Sequence, residues 1–173
     1  MSDIRRVELL EWCRVPADRL ASHPGRKVPF ELVADAQVMG ERMAAALADE
    51  IAAGAKRGKP TRAIVPCGPN AWYAPWRRLV NERKLSLRDL HVFHMDECLD
   101  WQGRPLPAGH PYNFRTFMER EFYGGIPPEL AVPPAQRHWL LPSTLEAVAA
   151  ALAAEPADIT LGGWGQDGHV AYN

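Results

Sequence analysis

Short apolar strands alternate with amphipathic helices along most of this 173-residue chain, and this alternation predicts an α/β fold. Segments 61–67 and 90–97 are rich in residues that favour strands, and a helical segment follows each of them. The same pattern then repeats up to residue 163. Because strands joined by helices run parallel, we expect a parallel sheet with helices on both faces.

The first 30 residues show no sustained periodicity and are expected to form an N-terminal arm, which leaves 31–173 as one α/β domain. Apolar residues from Met39 to Ile51 share one helical face, and Asp35 can cap that helix. The last helix has the spacing of a capping box, at Ser143 and Glu146. The elements after the first helix are a strand at 61–67, a helix at 72–84, a strand at 90–97, a helix at 111–123, a strand at 137–141, a helix at 143–155 and a strand at 157–163.

The composition excludes several classes of protein. The net charge of −1 gives no general attraction for nucleic acid or for anionic membranes. No apolar run approaches the roughly 18 residues that span a bilayer, and the charged N-terminus lacks a secretion signal. The three cysteines are too few and too scattered for a disulfide framework or a metal site, so we expect reduced thiols and a cytoplasmic protein.

Three segments that contain polar or ionisable side chains follow predicted strands: "CGPN", "MDEC" and "GWGQDGH". Because ligands bind at the carboxyl ends of parallel strands, we expect these segments to meet at one site. The last is a glycine loop in which Asp167 and His169 can form an oriented acid–base pair. The alternative is a tight loop with a solvated Asp and a surface His, which the four glycines after a buried strand make less favourable.

The other two segments leave alternatives open. Adjacent residues of an extended chain point to opposite sides, so at most one of Asp96 and Glu97 is expected to face a pocket. Either a general base or a helix cap fits such a carboxylate. Gly68 and the helix start after it can hold a phosphate, although a simple turn fits equally well and Pro69 has no N–H. Cys67 is interpreted as a buried structural thiol.

Together these motifs resemble the glucosamine-6-phosphate deaminase/isomerase family, which includes the 6-phosphogluconolactonases. The family pattern G-x-x-G-x-D-G-H-I-A-F-N appears here from Gly162 to Asn173, and M-D-E-Y appears as Met95 to Cys98. A third motif, H-P-x-S-Y-x-S-F-M, matches His110 to Met118. The order and approximate spacing of the three agree, and the match covers about 33–173.

The resemblance implies a modified Rossmann-like fold, a phosphorylated sugar as substrate, and neither a metal nor an organic cofactor. It implies that Asp96 moves a proton between C1 and C2 of the open-chain sugar, and that His169, oriented by Asp167, assists ring opening. Loss of ammonia would then give fructose 6-phosphate. The remaining candidates are expected to contact substrate: Gly68, Asn70, Glu97, Gly165, Gly168 and Asn173.

Some features depart from the family pattern. The phosphate loop, roughly S/T-G-G-T-P in the family, reads Cys67 to Ala71 here, with a proline in place of one glycine. Segment 100–109 is longer than usual, and its Trp101 is expected to pack or to reshape the pocket. The family continues past the last motif with a glutamate and a basic phosphate ligand, so we expect this chain to be an N-terminal portion.

Two other functions compete with the deaminase. A lactonase on the same fold would hydrolyse a phosphorylated sugar lactone, and a non-catalytic protein would only bind a sugar phosphate. Phe117-Met118 and Ala171-Tyr172-Asn173 favour the deaminase, whereas Asn113 leans slightly towards the lactonases. The resemblance also allows a homo-oligomer, because family deaminases often assemble.

Overall fold

The computed structural model of the chain describes residues 6–165, and these fall into two compact units that divide after Asp35. The first unit contains two short helices, α1 (Arg6–Trp12) and α2 (Ala17–Leu20). The sequence predicts an arm without periodic structure here, whereas the structure contains these two helices. A helix of four or seven residues is shorter than the window over which helical periodicity is recognised, which explains why the pattern gave no signal.

The second unit contains the predicted alternation of strands and helices. A 3₁₀ turn, Asn70–Trp72, precedes its second helix, and another, Pro134–Gln136, precedes its third strand. The elements in order are α3 (Ala36–Lys56), β1 (Thr61–Val65), α4 (Tyr73–Arg83), β2 (Leu90–His94), α5 (Phe114–Glu121), β3 (Arg137–His138), α6 (Leu145–Ala154) and β4 (Ile159–Thr160).

The four strands form one sheet in the order β3-β2-β1-β4, and every neighbouring pair is parallel. In β1, Ala63 and Val65 are buried in a core that also contains Leu47 of α3 and Trp76 of α4. Alternate positions point to the other face, where the Arg62 guanidinium donates hydrogen bonds to the carbonyls of Ala151 and Glu155 at the end of α6. Helices therefore cover both faces, and the predicted fold class is confirmed.

Aromatic side chains dominate the core between α4 and α5. Trp76 is fully buried, stacks on Phe122 with ring centroids 5.1 Å apart, and donates its indole N–H to the carbonyl of Phe122 at 3.2 Å. Tyr73 packs edge-on against Phe117 at 5.6 Å. These contacts fix α4 against α5, and hence fix the two segments that follow β1 and β2 relative to each other.

The predicted capping box of α6 is wrong. The N-cap residue is Thr144 rather than Ser143, and the helix begins at Leu145. The Thr144 hydroxyl donates to the carbonyl of Trp139 and accepts from the N–H of Leu141. The turn after β3 therefore fixes the start of this helix one residue later than the local Ser143 and Glu146 spacing indicates.

No helix within residues 6–165 is both long enough and apolar enough to cross a membrane.

Three histidines in or near the sheet lie in surroundings that disfavour their charged form. His94 is buried, stacks on Trp139, and has its Nε2 3.0 Å from the Tyr123 hydroxyl. His91 and His138 lie on neighbouring strands with Nδ1 3.2 Å from Nε2. Burial lowers the pKa of all three below the ordinary value of 6.5, to about 3 for His94.

These shifts predict that the protein loses stability as the pH falls from 6.5 to 4.5. A histidine whose pKa is depressed in the folded state binds fewer protons there than in the unfolded chain, so its stabilisation is present above pH 6.5 and is lost below it. The loss is at most about 1.4 kcal/mol per pH unit for each histidine. Hydrogen bonds from Arg120 and Arg77 lower the pKa of Glu121 below its ordinary 4.5, so the stability that this carboxylate contributes is lost mainly as the pH falls below that value.

Urea midpoints measured across this pH range test the prediction, with His94→Phe and the exposed His110→Gln as a matched pair. The slope against pH should flatten in His94→Phe and stay unchanged in His110→Gln. A wild-type midpoint that is constant from pH 6.5 to 4.5 would contradict the prediction.

Candidate active site

A cavity of about 650 Å³ lies at the carboxyl ends of β1, β2 and β4. Three of the predicted site residues, Gly68, Asp96 and Gly165, line it together. The sequence therefore identified the correct edge of the sheet, because the three strand-end segments meet there. Within the described part of the chain, the lining residues are Met39, Met43, Pro66, Cys67, Gly68, Pro69, Met95, Asp96, Phe114, Gly162, Gly163, Trp164 and Gly165.

Two backbone hydrogen bonds extend the sheet into the cavity wall. The N–H of Met95 donates to the carbonyl of Val65 at 3.0 Å, and the N–H of Leu161 donates to the carbonyl of Ile64 at 3.0 Å. The first bond fixes the residue directly before Asp96, and the second fixes the residue directly before the glycine loop. The positions of the carboxylate and of the loop are therefore both set by β1.

Asp96 is half-buried and is the one charged side chain among the described lining residues. Burial, together with the charges of Asp96 and then Glu97, raises the pKa of the neighbouring Cys67 thiol to about 12. A thiol with that pKa is protonated at neutral pH and is a poor nucleophile. The chemistry that this wall offers is therefore that of a carboxylate. Cys67 is half-buried in the cavity wall, so the prediction that it is a buried thiol is only partly met, although its high pKa agrees with an unreactive role.

The turn after β1 requires a glycine and is held by Tyr73. Gly68 has φ = +121°, a conformation that side-chain-bearing residues rarely adopt. Its N–H donates to the Tyr73 hydroxyl at 2.6 Å, and that hydroxyl donates to the carbonyl of Pro66 at 3.2 Å. The Gly68 N–H is thus directed to Tyr73 and not into the cavity, and Asn70 after it is exposed and does not line the cavity.

Glu97 has a different environment from Asp96. Its Oε1 accepts from the N–H of Cys98 at 3.0 Å and of Phe114 at 2.7 Å, and its Oε2 accepts from the N–H of Arg115 at 2.9 Å. It does not line the 650 Å³ cavity. A second, mostly apolar cavity of about 390 Å³ is lined by Asp96, Glu97 and Leu140, among others.

The remaining predicted site residues lie outside the described part of the chain: Asp167, Gly168, His169 and Asn173. Their roles stay predictions. Trp101 is 89% exposed and lines neither of the two cavities, so the expectation that it packs or reshapes the pocket is wrong. It belongs to a surface turn that Asp100 and Arg104 close through an ion pair of 2.9 Å.

Sequence reasoning missed Tyr73, Phe114 and the two methionines of α3 as parts of the site. Met39 and Met43 lie on the apolar face that the periodicity predicts for α3, and the structure shows that this face also reaches the cavity. Tyr73 follows Gly68 by five residues in a helix, and a tyrosine at that position gives no sequence signal of its own. Phe114 is brought to the cavity by the start of α5, which is a tertiary effect.

We expect Tyr73→Phe to lower the free energy of unfolding by about 1–3 kcal/mol. The change removes the hydroxyl that accepts a short hydrogen bond within a buried turn. Urea unfolding gives this cost directly. Tyr123→Phe is the matched control, since it removes a hydroxyl that contacts His94 away from the turn. If the turn matters for the site, binding of inorganic phosphate or a hexose phosphate weakens in Tyr73→Phe and not in Tyr123→Phe. Equal effects of both changes on binding would contradict this.

Comparisons with known proteins agree with the motifs. No family model matches the sequence. The glucosamine-6-phosphate deaminase of Beutenbergia cavernae is 36% identical over 98 residues, which cover 52% of this chain and 34% of the relative. The enzyme of the same name from Aedes aegypti is 31% identical over 99 residues, covering 53% of this chain and 32% of the relative. This chain thus spans about a third of the length of the curated relatives that it matches.

A solved structure described as a monomeric glucosamine-6-phosphate deaminase, a missing link of the NagB superfamily, has the same fold. The TM-score is 0.61 at 20% identity, and the match covers 79% of this chain and 55% of that chain. At this identity the likeness shows the fold alone. The resemblance that the three motifs predict is confirmed by the sequence relatives, and the architecture is confirmed by the structural one.

Proposed function

We propose that this chain, which resembles the glucosamine-6-phosphate deaminases in motifs, sequence and fold, carries the proton-transfer part of an amino-sugar-phosphate isomerase/deaminase site. The observation that supports this most strongly is the position of Asp96. It is the single charged side chain in the described wall of a 650 Å³ cavity, between the turn at Gly68 and the loop from Gly162 to Gly165.

In the proposed reaction, the Asp96 carboxylate takes the proton from C2 of the open-chain amino sugar and returns a proton to C1. Water then replaces the nitrogen at C2, so ammonia leaves and fructose 6-phosphate remains. His169, oriented by Asp167, is proposed to open the sugar ring first. A carboxylate suits the first role because it exchanges a proton without forming a covalent bond to the sugar.

The phosphate is the less defined part of the proposal. Among the described lining residues there is neither a lysine nor an arginine, and the Gly68 N–H is already bonded to Tyr73. Substrate contacts from Asn70, Gly165, Gly168 and Asn173 therefore stay proposals, as do a cytoplasmic location and assembly into a homo-oligomer. The proposed partner is a phosphorylated sugar such as glucosamine 6-phosphate.

Release of ammonia from glucosamine 6-phosphate tests the function, with fructose 6-phosphate measured in the same samples. Equal amounts of the two products are the expected result. Incubation with fructose 6-phosphate and ammonium in D₂O runs the proposed reaction in reverse and isolates the proton transfer, because deuterium should then enter at C1. Absence of both signals would overturn the proposal, and hydrolysis of 6-phosphogluconolactone in their place would assign the lactonase function.

A further inference from the structure

The hydrogen bonds of Glu97 support a further inference, which rests on the proposed function and adds to it. We propose that Glu97 is a positioning residue, whose carboxylate ties the segment that bears Asp96 to the N-terminus of α5. Through this tie, Glu97 keeps both Asp96 and the ring of Phe114 in the wall of the cavity.

The contacts of Glu97 are all made to backbone N–H groups. One carboxylate oxygen accepts from Cys98 and Phe114, at 3.0 and 2.7 Å, and the other accepts from Arg115 at 2.9 Å. The partners lie one, 17 and 18 residues along the chain. The carboxylate therefore closes the base of the whole segment 98–113, which leaves the sheet after Asp96 and returns at α5.

Two side chains accept hydrogen bonds from the backbone N–H groups at the N-terminus of α5. The first N–H groups of a helix have no partner within the helix, and an acidic side chain near them is favourable. Glu97 accepts from Phe114 and Arg115, while Asn113, the N-cap residue, accepts from the N–H of Thr116 at 2.7 Å. The Glu97 contacts connect this helix end to the residue directly after Asp96.

A role for Glu97 in binding substrate through its charge fits the geometry less well. Both of its oxygens are bonded to backbone, and its side chain is absent from the described wall of the 650 Å³ cavity. The two roles give opposite orders of severity for two conservative variants. Glu97→Gln keeps the length of the side chain and an acceptor oxygen for Cys98 and Phe114 but loses the bond to Arg115, because an amide NH₂ cannot accept. Glu97→Asp keeps the charge but is one methylene shorter and loses the reach to α5.

The test compares wild type, Glu97→Gln, Glu97→Asp and Asn113→Ala in the full chain. Two readouts are taken: amide hydrogen exchange at Phe114 and Arg115, and kcat and KM for glucosamine 6-phosphate. We expect kcat to fall about 100-fold in Glu97→Asp and less than about tenfold in Glu97→Gln, because a misplacement of about 1 Å can cost a factor of 100. KM should change less than kcat, and exchange at the two amides should speed up in the same order.

Asn113→Ala is the control for loosening of the helix itself. It removes the cap on Thr116 and the hydrogen bond from the Asn113 side-chain amide to the carbonyl of Leu106, without touching the contacts of Glu97. Its kcat should remain within a few-fold of wild type. A loss of kcat in Asn113→Ala as large as that in Glu97→Asp would reduce Glu97 to a stabiliser of α5 and overturn the proposal.

The remaining outcomes separate this proposal from the proposed function. Higher activity in Glu97→Asp than in Glu97→Gln would assign a charge contact with substrate and overturn positioning. If the wild-type protein does not turn over glucosamine 6-phosphate, the proposed function fails. Amide exchange at Phe114 and Arg115 then still tests whether Glu97 ties its segment to α5. Unchanged exchange at Phe114 and Arg115 in Glu97→Asp overturns the tie, and faster exchange there supports it.

Discussion

Turnover of glucosamine 6-phosphate is expected to fall at least about 1,000-fold in Asp96→Asn, while KM changes little. General acid–base catalysis by one side chain contributes about 10²–10⁴ in rate, and a carboxamide cannot take up the proton at neutral pH. The change is nearly isosteric, so the cavity between Gly68 and the glycine loop keeps its shape. Steady-state kinetics, together with deuterium entry at C1 of fructose 6-phosphate, measure this effect.

Asp100→Asn is the matched control, because it makes the same chemical change four residues further on. Asp100 pairs with Arg104 in a surface turn and lines neither of the two cavities next to Asp96. Wild-type kinetics are expected for this variant, because the side-chain hydrogen bonds of Asp100 are made to Gln102 and Arg104, within the same turn. Retention of turnover in Asp96→Asn would remove Asp96 from the role of the base and would redirect the search to the residues after Gly165.

The edge of the sheet at which the site lies was predictable because it depends on local pattern and on one topological rule. The apolar runs that precede Cys67, Asp96 and the glycine loop identify buried strands, and parallel strands bring their carboxyl ends together. The structure confirms this for Gly68, Asp96 and Gly165. The prediction that at most one of Asp96 and Glu97 faces a pocket holds for the 650 Å³ cavity, which only Asp96 lines. It is wrong for the cavity of about 390 Å³, which both residues line.

The contacts that organise the site were not predictable, since they join residues that are distant in sequence. Glu97 meets Phe114 and Arg115 only after segment 98–113 has left the sheet and returned. Tyr73 reaches back to the turn at Gly68 because α4 packs against the core in one particular orientation. The start of α6 is a different case, because the contacts of Thr144 with Trp139 and Leu141 are local and still override the Ser143 and Glu146 pattern.

The second large effect is expected at Gly40, where α3 passes directly beneath the turn that follows Gly68. A Cβ at this position would overlap the carbonyl of Ala71, with the carbonyl carbon 2.5 Å away and the N of Trp72 2.9 Å away. The obstructing atoms are backbone, and Trp72 beside them is fully buried, so neither side can move aside cheaply. We expect Gly40→Val to cost about 3 kcal/mol or more in the free energy of unfolding.

Gly40→Ala tests two opposing contributions to stability at this position, helix propensity and overpacking. Replacing glycine by alanine within a helix gains about 1 kcal/mol from helix propensity, whereas overpacking typically costs about 1–3 kcal/mol. Because the clash is with backbone, we expect overpacking to exceed the gain, so that Gly40→Ala is destabilised by about 1–2 kcal/mol.

Urea denaturation of both Gly40 variants measures these costs, and Gly109→Ala is the control. Gly109 is exposed, with no heavy atom within 4 Å of an added Cβ, so its replacement should be nearly neutral. A Gly40→Ala protein more stable than wild type would show that the turn at Asn70–Trp72 yields to α3. Since that turn follows Gly68, the same variant would then also shift the wall of the cavity, and hexose-phosphate binding would change without loss of stability. Destabilisation that increases from alanine to valine would instead show that α3 holds this turn, and with it one side of the site, in a fixed place.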